Sequence, residues 1–78
     1  MNIPEEFIQK VEAEMIREVI QLLNEKYKIV LVLYYYEQYS YKEMSEILNI
    51  PIGTVKFRLN YAKKQMREHL EGFVHGGR

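Results

Sequence analysis

The sequence predicts an all-α fold, a small bundle of about four helices. Apolar residues recur at three- and four-residue spacing, which is the period of one helix face. Ser40 and Glu43 stand in the order of a capping box, which marks the start of a helix. Asn49 and Pro51 mark a short turn between two helical segments. We therefore expect two of the helices to form a helix-turn-helix.

Length and composition limit the classes of protein that this sequence can represent. A chain of 78 residues holds one domain with a small core, which argues against a two-domain enzyme. The hydrophobic content of 47% provides enough apolar surface to offset the loss of chain entropy, so the chain should fold. We expect a single domain over residues 1–72 and a flexible tail over 73–78.

Cysteine content and hydropathy bear on compartment and chemistry. The sequence has no cysteine, which excludes disulfides, thiolate metal sites and a cysteine nucleophile. The first residues do not resemble a signal peptide, and the longest apolar run, 29–36, is far shorter than a membrane span. These features predict a soluble cytoplasmic protein with no membrane partner.

The first helix is predicted to begin near Pro4, because proline suits a first turn and Glu5 and Glu6 complement the helix dipole. Asn24 is predicted to be the boundary with the next helix, since asparagine is a good N-cap. The residues expected on the apolar face of this helix are Phe7, Ile8, Val11, Met15, Ile16, Val19, Ile20, Leu22 and Leu23.

The second segment, 25–37, contains a run of β-branched and aromatic residues that would also suit a buried strand. We predict a helix, because no second strand-like run is available to satisfy a strand's backbone hydrogen bonds. The three tyrosines at 34–36 could form a platform for stacking on bases. At helical spacing, however, we expect them to pack in the core, with the side chains divided between core and surface.

The third and fourth helices carry the predicted helix-turn-helix. The third helix begins after Ser40 and ends near Leu48, because Asn49 tolerates the left-handed conformation and Pro51 disfavours helix at the residue before it. Its expected inward residues are Met44, Ile47 and Leu48. The fourth helix is expected from Pro51 or Ile52 to about residue 71, ended by Gly72. Its expected inward stripe is Val55, Leu59, Ala62, Met66 and Leu70.

Charge is unevenly distributed, although the net charge is zero. Residues 1–40 hold four basic and seven acidic side chains, whereas 41–78 hold seven basic and four acidic ones. Five of these bases lie in 52–70, where Glu68 is the one acid. A basic helix can be simply a solvated face. A short turn followed by a longer basic helix nevertheless favours DNA binding, because the first residues of the second helix can reach base edges.

The stretch YSYKEMSEILNIPIGTVKFRLNYAKKQMREHL, residues 39–70, resembles the promoter-binding region 4 of bacterial sigma factors, and most of all the extracytoplasmic-function group. That family commonly has a serine cap, an acidic residue, a small residue in mid-helix and a Gly-Thr-Val-Lys-Ser-Arg-Leu run, which is Gly53–Leu59 here. Residues 22–36 resemble the family's preceding helices, with Asn24 where proline is frequent. The likeness covers 14–70 and implies a sigma region 4-like fold.

The resemblance implies recognition of the −35 promoter element in transcription initiation with RNA polymerase. The residues that match the family's base-reading positions are Lys56, Phe57, Asn60 and Tyr61. Lysine can donate to guanine and asparagine can pair with adenine, so this face is chemically suited to reading bases. The side chains expected to contact phosphate are Tyr41, Lys42, Thr54, Arg58, Lys63 and Lys64.

Two of these positions leave alternatives open. Phe57 stands where the family usually has serine. Its ring could fill space against a thymine methyl group, or it could turn aside and pack on the protein. Arg58 could form an intramolecular salt bridge instead of contacting phosphate.

The resemblance also implies protein partners. These are the RNA polymerase core, through the flap region of its β subunit, and, as a second candidate, an anti-sigma factor. Val30, Leu33 and the tyrosines at 34–36 are expected to offer polymerase an apolar surface. The alternative is a protein-interaction module of the same fold. Since the sequence has no region for melting the −10 element, we expect a domain of a longer sigma factor or a small stand-alone regulator.

The sequence offers little for other chemistry. His69 and His75 have no acids placed to complete a metal site, and Gly53 stands alone rather than in a phosphate-binding loop. We therefore expect no enzyme, no cofactor and no small-molecule substrate.

Overall fold

The chain folds into four α-helices joined by short connections. The computed structural model describes residues 4–76, and their side chains apart from those of 7, 8, 11 and 73–76. The helices are α1 (Glu5–Gln21), α2 (Glu25–Leu31), α3 (Tyr41–Leu48) and α4 (Ile52–Gly76), and α2 continues directly into a π-helical turn, Val32–Tyr36. Residues 4–76 contain no strand. The predicted all-α fold of about four helices is confirmed.

The boundary between α1 and α2 follows the predicted local signals. Pro4 is the N-cap residue of α1, and the side chain of Asn24 caps α2 by accepting from the amide of Lys26 at 3.4 Å. The apolar face of α1 is confirmed where Ile20 and Leu23 are buried. The side chains of Phe7, Ile8 and Val11, also predicted for this face, lie outside the described residues.

Leu22 is an error in the predicted face of α1, because 60% of its surface is exposed. Val19, Ile20 and Leu23 form the buried side. Leu22 is the C-cap residue that follows the last residue of α1, Gln21, so the helical period that predicts its burial stops before this position. The three- and four-residue spacing therefore assigned Leu22 to the apolar face incorrectly.

The second predicted helix is confirmed, but its last turn is wider than an α-helix. The amide of Glu37 donates to the carbonyl of Val32 at 3.1 Å, five residues back, and Gln38 then turns the chain with a left-handed φ of 60°. Tyr34 packs against the core, whereas Tyr35 and Tyr36 are 51% and 50% exposed. The tyrosines are thus divided between core and surface, as predicted.

The core lies where α4 crosses α1 and α2, with α3 packed on its first turns. Val55, Leu59 and Ala62 of the predicted stripe are fully buried, and Met66 and Leu70 are half-buried. The other buried side chains come from α1, from the connection that follows it, and from α2 and α3: Val19, Ile20, Leu23, Val30, Leu31 and Met44. The stripe on α4 is the surface around which the three other helices pack.

Two predictions about the helix-turn-helix are wrong. Ile47 is 52% exposed, because Met44 and Leu48 lie four residues apart on one face of α3 and Ile47 lies beside that face. Gly72 does not end α4, which continues to Gly76. A glycine ends a helix by adopting a left-handed conformation, and no glycine of the described part has a positive φ. Residues 73–76 of the predicted tail are therefore helical.

Candidate DNA interface

The capping box holds the first turn of α3. The amide of Glu43 donates to Ser40 Oγ at 3.1 Å, and the amide of Ser40 donates to Glu43 Oε1 at 2.8 Å. Both hydrogen bonds were predicted and both are confirmed. They satisfy two backbone donors that would otherwise have no partner, and so fix the residue at which α3 begins.

The turn between α3 and α4 is closed by local hydrogen bonds. Asn49 adopts the predicted left-handed conformation, with φ 57° and ψ 49°. The amide of Ile50 donates to the carbonyl of Ser45 at 3.1 Å, and the Ser45 hydroxyl donates to the carbonyl of Ile50. Sequence reasoning missed the second bond, since its partner lies across the turn. These contacts fix the angle at which α4 leaves α3.

The first half of α4 presents an exposed face opposite its buried stripe. All four predicted base-reading residues are exposed, and the exposed fraction is 64% for Phe57 and 37% for Tyr61. Asn60 and Lys64 lie four residues apart, so they share this face with Phe57. A Cβ placed on Gly53, one turn earlier, would have no heavy atom within 4 Å. The face is therefore open to a ligand at the start of α4.

Aromatic rings support one side of this face. The rings of Phe57 and Tyr61 are 6.2 Å apart and almost parallel, with 14° between their planes. Tyr61 also lies against Tyr27 of α2, at 4.7 Å between ring centroids. The ammonium group of Lys26 lies 5.3 Å from the centroid of Tyr27. Sequence reasoning missed Tyr27, because its contact joins residues that are distant along the chain.

The predicted phosphate contacts are divided between exposed and half-buried positions. Lys42 and Lys64 are exposed, and Thr54 and Arg58 are half-buried. Tyr41 packs against the core, and Lys56 Nζ lies 6.0 Å from the centroid of its ring. This places two predicted DNA contacts, one from α3 and one from α4, side by side.

Within the part of the chain that the structure describes, Arg58 does not form the alternative salt bridge. Among the described side chains, the one ion pair joins Lys28 Nζ to Glu25 Oε1 at 3.7 Å. Arg58 lies about 100° around α4 from Phe57, at the edge of the exposed face. Its guanidinium therefore makes no ion pair with the described part of the chain.

Lys63 lies apart from the other predicted DNA contacts. Its Nζ lies 5.4 Å from the ring centroid of Tyr34 and 6.0 Å from that of Tyr35. It also lines a groove of about 510 Å³ between α1, the π-helical turn and the second half of α4. The large apolar side chains that line this groove are Ile16, Ile20, Tyr35, Tyr36, Met66 and Leu70. Arg67 adds a second positive charge to that of Lys63.

The groove corrects the predicted apolar surface. Val30 was expected to be part of a polymerase-binding surface, but it is fully buried in the core. Tyr35 and Tyr36 do line the groove. Val30 is not part of this apolar surface, because it lies on the side of α2 that packs against α4. Its burial beside Leu59 and Ala62 indicates this packing.

Comparison with known proteins decides the family. A family model described as sigma-70, region 4 matches residues 13–66. The chain belongs to this family. It is 39% identical over 69 residues to the ECF RNA polymerase sigma factor SigW of Bacillus subtilis, a match that covers 87% of this chain and 37% of that protein. It is 33% identical over 63 residues to the RNA polymerase sigma-E factor of Streptomyces avermitilis, covering 81% of this chain and 35% of that protein.

Membership confirms the resemblance to region 4 of extracytoplasmic-function sigma factors. This region 4 domain spans little more than a third of the length of the two relatives. Its helix-turn-helix is α3, the turn at Asn49 and α4, all within the matched residues except the last turns of α4.

Metal ligands and membrane-spanning helices are the remaining features to consider in the region 4 domain. In its described part, no three His, Asp or Glu side chains are grouped as metal ligands would be. His69 is half-buried, and the side chain of His75 lies outside the described residues. No helix within residues 4–76 combines the length and apolar character that crossing a membrane requires.

Proposed function

We propose that the domain binds the −35 promoter element through the first half of α4, as region 4 of a sigma factor in transcription initiation with RNA polymerase. One observation carries this proposal: in a member of the region 4 family, a capped α3 and a closed turn present Lys56, Phe57 and Asn60 on the exposed side of α4. A helix presented in this way can enter a major groove.

The exposed side chains suggest how the contacts are divided. Lys56 can donate to guanine O6 and N7, and Asn60 can pair with adenine N6 and N7. Lys42, Thr54 and Lys64 border these positions and are suited to phosphate, which orients a protein on DNA without specifying sequence. We assign Lys63 a smaller part in DNA binding, because its ammonium group lies over Tyr34 and lines the groove.

A DNA titration tests this proposal. The wild-type chain is first used to select duplexes from a random-sequence pool, and binding to the selected duplex is followed by fluorescence anisotropy at about 50 mM and about 200 mM salt. The variant Lys56→Ala with Asn60→Ala should lose at least about tenfold in affinity, because each bidentate base contact contributes about 1–3 kcal/mol. Lys10→Ala is the matched control, since it removes the same charge from an exposed position on α1.

The outcomes separate base reading from simple charge attraction. Wild type and the Lys10→Ala control should bind alike, and both should weaken as salt rises. Equal binding by the Lys56→Ala, Asn60→Ala variant would exclude base reading by this face. Binding that does not depend on salt would exclude the phosphate contacts.

The groove favours a second activity, docking of a protein partner. We propose that it receives an apolar segment of the RNA polymerase core, in the flap region of the β subunit. Apolar side chains form most of its surface, and Lys63 and Arg67 can pair with carboxylates on the incoming segment. The base-reading residues lie on the first half of α4, so DNA and polymerase could bind together. An anti-sigma factor is the other partner suited to such a groove.

Binding to purified polymerase core distinguishes the two surfaces. Tyr36→Glu introduces a charge into the groove at a half-exposed position and should abolish binding to the core while leaving DNA affinity unchanged. Asn60→Ala should weaken DNA binding and leave binding to the core unchanged. If wild type bound the core but no selected DNA, the chain would be an interaction module, and the −35 proposal would be wrong.

A further inference from the structure

Phe57 is a large apolar side chain at the centre of the face proposed for DNA. It is 64% exposed, the largest exposed fraction among the large hydrophobic side chains of the described part. It is absent from the core cluster and from the half-buried residues around it. Its position therefore contributes little to folding, and the family usually has serine there. A single exposed apolar side chain is ordinary, but this one adjoins the ring of Tyr61, so the two form a continuous apolar surface on the face proposed for DNA.

Phe57 has an aromatic neighbour on its own helix. Tyr61 lies one turn further along α4, with its ring almost parallel to that of Phe57 at 6.2 Å. Tyr27 supports Tyr61 from α2, at 4.7 Å. Tyr27 is itself packed against the core, so the support is continuous from the core to the exposed ring. We call Phe57 and Tyr61 the aromatic shelf.

We propose that the aromatic shelf reads the C5 methyl group of pyrimidines in the major groove, which makes Phe57 a specificity-determining residue for thymine. This inference rests on the proposed function. The thymine methyl group is the one apolar feature that a base pair presents in the major groove. A phenyl ring offers no strong donor or acceptor, so it would leave the amino group of cytosine without a partner. Serine at this position could form a hydrogen bond instead.

The physical alternative is that Phe57 only packs on Tyr61 and contacts no base. The two possibilities predict different affinities when a single methyl group is removed from the DNA. If Phe57 contacts that methyl group, its removal weakens binding by wild type, whereas if Phe57 only packs on Tyr61, the affinity does not change. Uracil is thymine without that methyl group and pairs identically with adenine. Replacement of thymine by uracil therefore changes the proposed contact and preserves the hydrogen-bonding pattern of the base pair.

The experiment uses the complete chain and the duplex that wild type selects from a random-sequence pool. Each thymine of the selected site is replaced singly by uracil, and affinities are measured for wild type, Phe57→Ser and Phe57→Leu. We expect wild type to lose about threefold to fourfold in affinity at one or two adjacent positions, the effect of one buried methyl group. Phe57→Leu should retain part of this loss, and Phe57→Ser should bind the thymine and uracil duplexes equally.

A gain test and a stability control complete the design. In a duplex whose shelf-position T·A pair has been replaced by C·G, methylation of that cytosine at C5 should strengthen binding by wild type and not by Phe57→Ser. The free energies of unfolding of all three proteins should lie within about 0.5 kcal/mol of one another, because position 57 is exposed. If a sequence is selected but no uracil substitution distinguishes wild type from Phe57→Ser, the shelf does not read methyl groups, although the proposed function stands. If no sequence is selected, both proposals are wrong.

Discussion

Replacing Ser40 by alanine is expected to destabilise the domain through the loss of the helix cap. Ser40 Oγ accepts from the amide of Glu43 at 3.1 Å, and alanine leaves that amide without a protein partner. The cap is exposed to water, which can replace part of the bond, so we expect about 1 kcal/mol. For a domain of this size, such a loss lowers the melting temperature by about 4–8 °C.

The reciprocal bond of the capping box provides a matched control. The amide of Ser40 donates to Glu43 Oε1 at 2.8 Å, and glutamine can accept the same bond with its amide oxygen. Glu43→Gln should therefore cost less than Ser40→Ala. Both variants are measured by urea unfolding followed by circular dichroism. If Ser40→Ala changed the free energy of unfolding by less than about 0.3 kcal/mol, or if Glu43→Gln cost as much, the capping box would not hold α3 as described.

Three further substitutions test the turn, the core and the exposed face, each by urea unfolding. Asn49→Ala should cost about 1 kcal/mol, because Asn49 has a left-handed φ of 57°, whereas Asn49→Gly should cost nothing; equal losses would contradict this. Leu59→Ala should cost about 3 kcal/mol, since Leu59 is fully buried, and a loss below 1 kcal/mol would place it outside the core. Gly53→Ala should stabilise the free domain by about 0.5 kcal/mol, since its Cβ meets no atom within 4 Å. The added methyl group lies on the face proposed for DNA, so the same variant should bind DNA more weakly in the anisotropy titration. Unchanged DNA affinity for this last variant would place Gly53 outside the contact.

Local signals in the sequence predicted the helix-turn-helix well, because the interactions involved join residues close in the chain. The two bonds of the capping box span three residues, and the conformation of Asn49 depends on the residue itself and on the end of α3. Pro51 precedes the first residue of α4. The family resemblance agreed with these signals and was confirmed by the match over residues 13–66.

The faces of the helices were predicted less well, because burial depends on which helices pack together. Leu22 and Ile47 have suitable spacing within their own helices and are nevertheless exposed. Val30 was assigned to a surface and is buried under α4. The spacing of apolar residues predicts how wide the apolar face of a helix is. Which residues at the edge of that face are buried depends on the helix that packs against it.

The surroundings of the candidate site could not be predicted for the same reason. The contact between Tyr27 and Tyr61 joins α2 to α4, and the position of Lys63 over Tyr34 joins α4 to the π-helical turn. Both are long-range contacts. The wider turn at Val32–Tyr36 itself has no pattern in the sequence that distinguishes it from an α-helix. The base-reading role of the exposed residues stays a prediction.

Chemical protection of the selected duplex by dimethyl sulfate tests the central claim, that α4 enters a DNA major groove. The reagent methylates guanine N7 in the major groove and adenine N3 in the minor groove, so one measurement reports on both grooves. The wild-type chain, at saturating concentration and low salt, should protect guanine N7 within one short run of base pairs and leave adenine N3 reactive. Protection of adenine N3 alone, or no protection of guanine N7 on a bound duplex, would contradict the account.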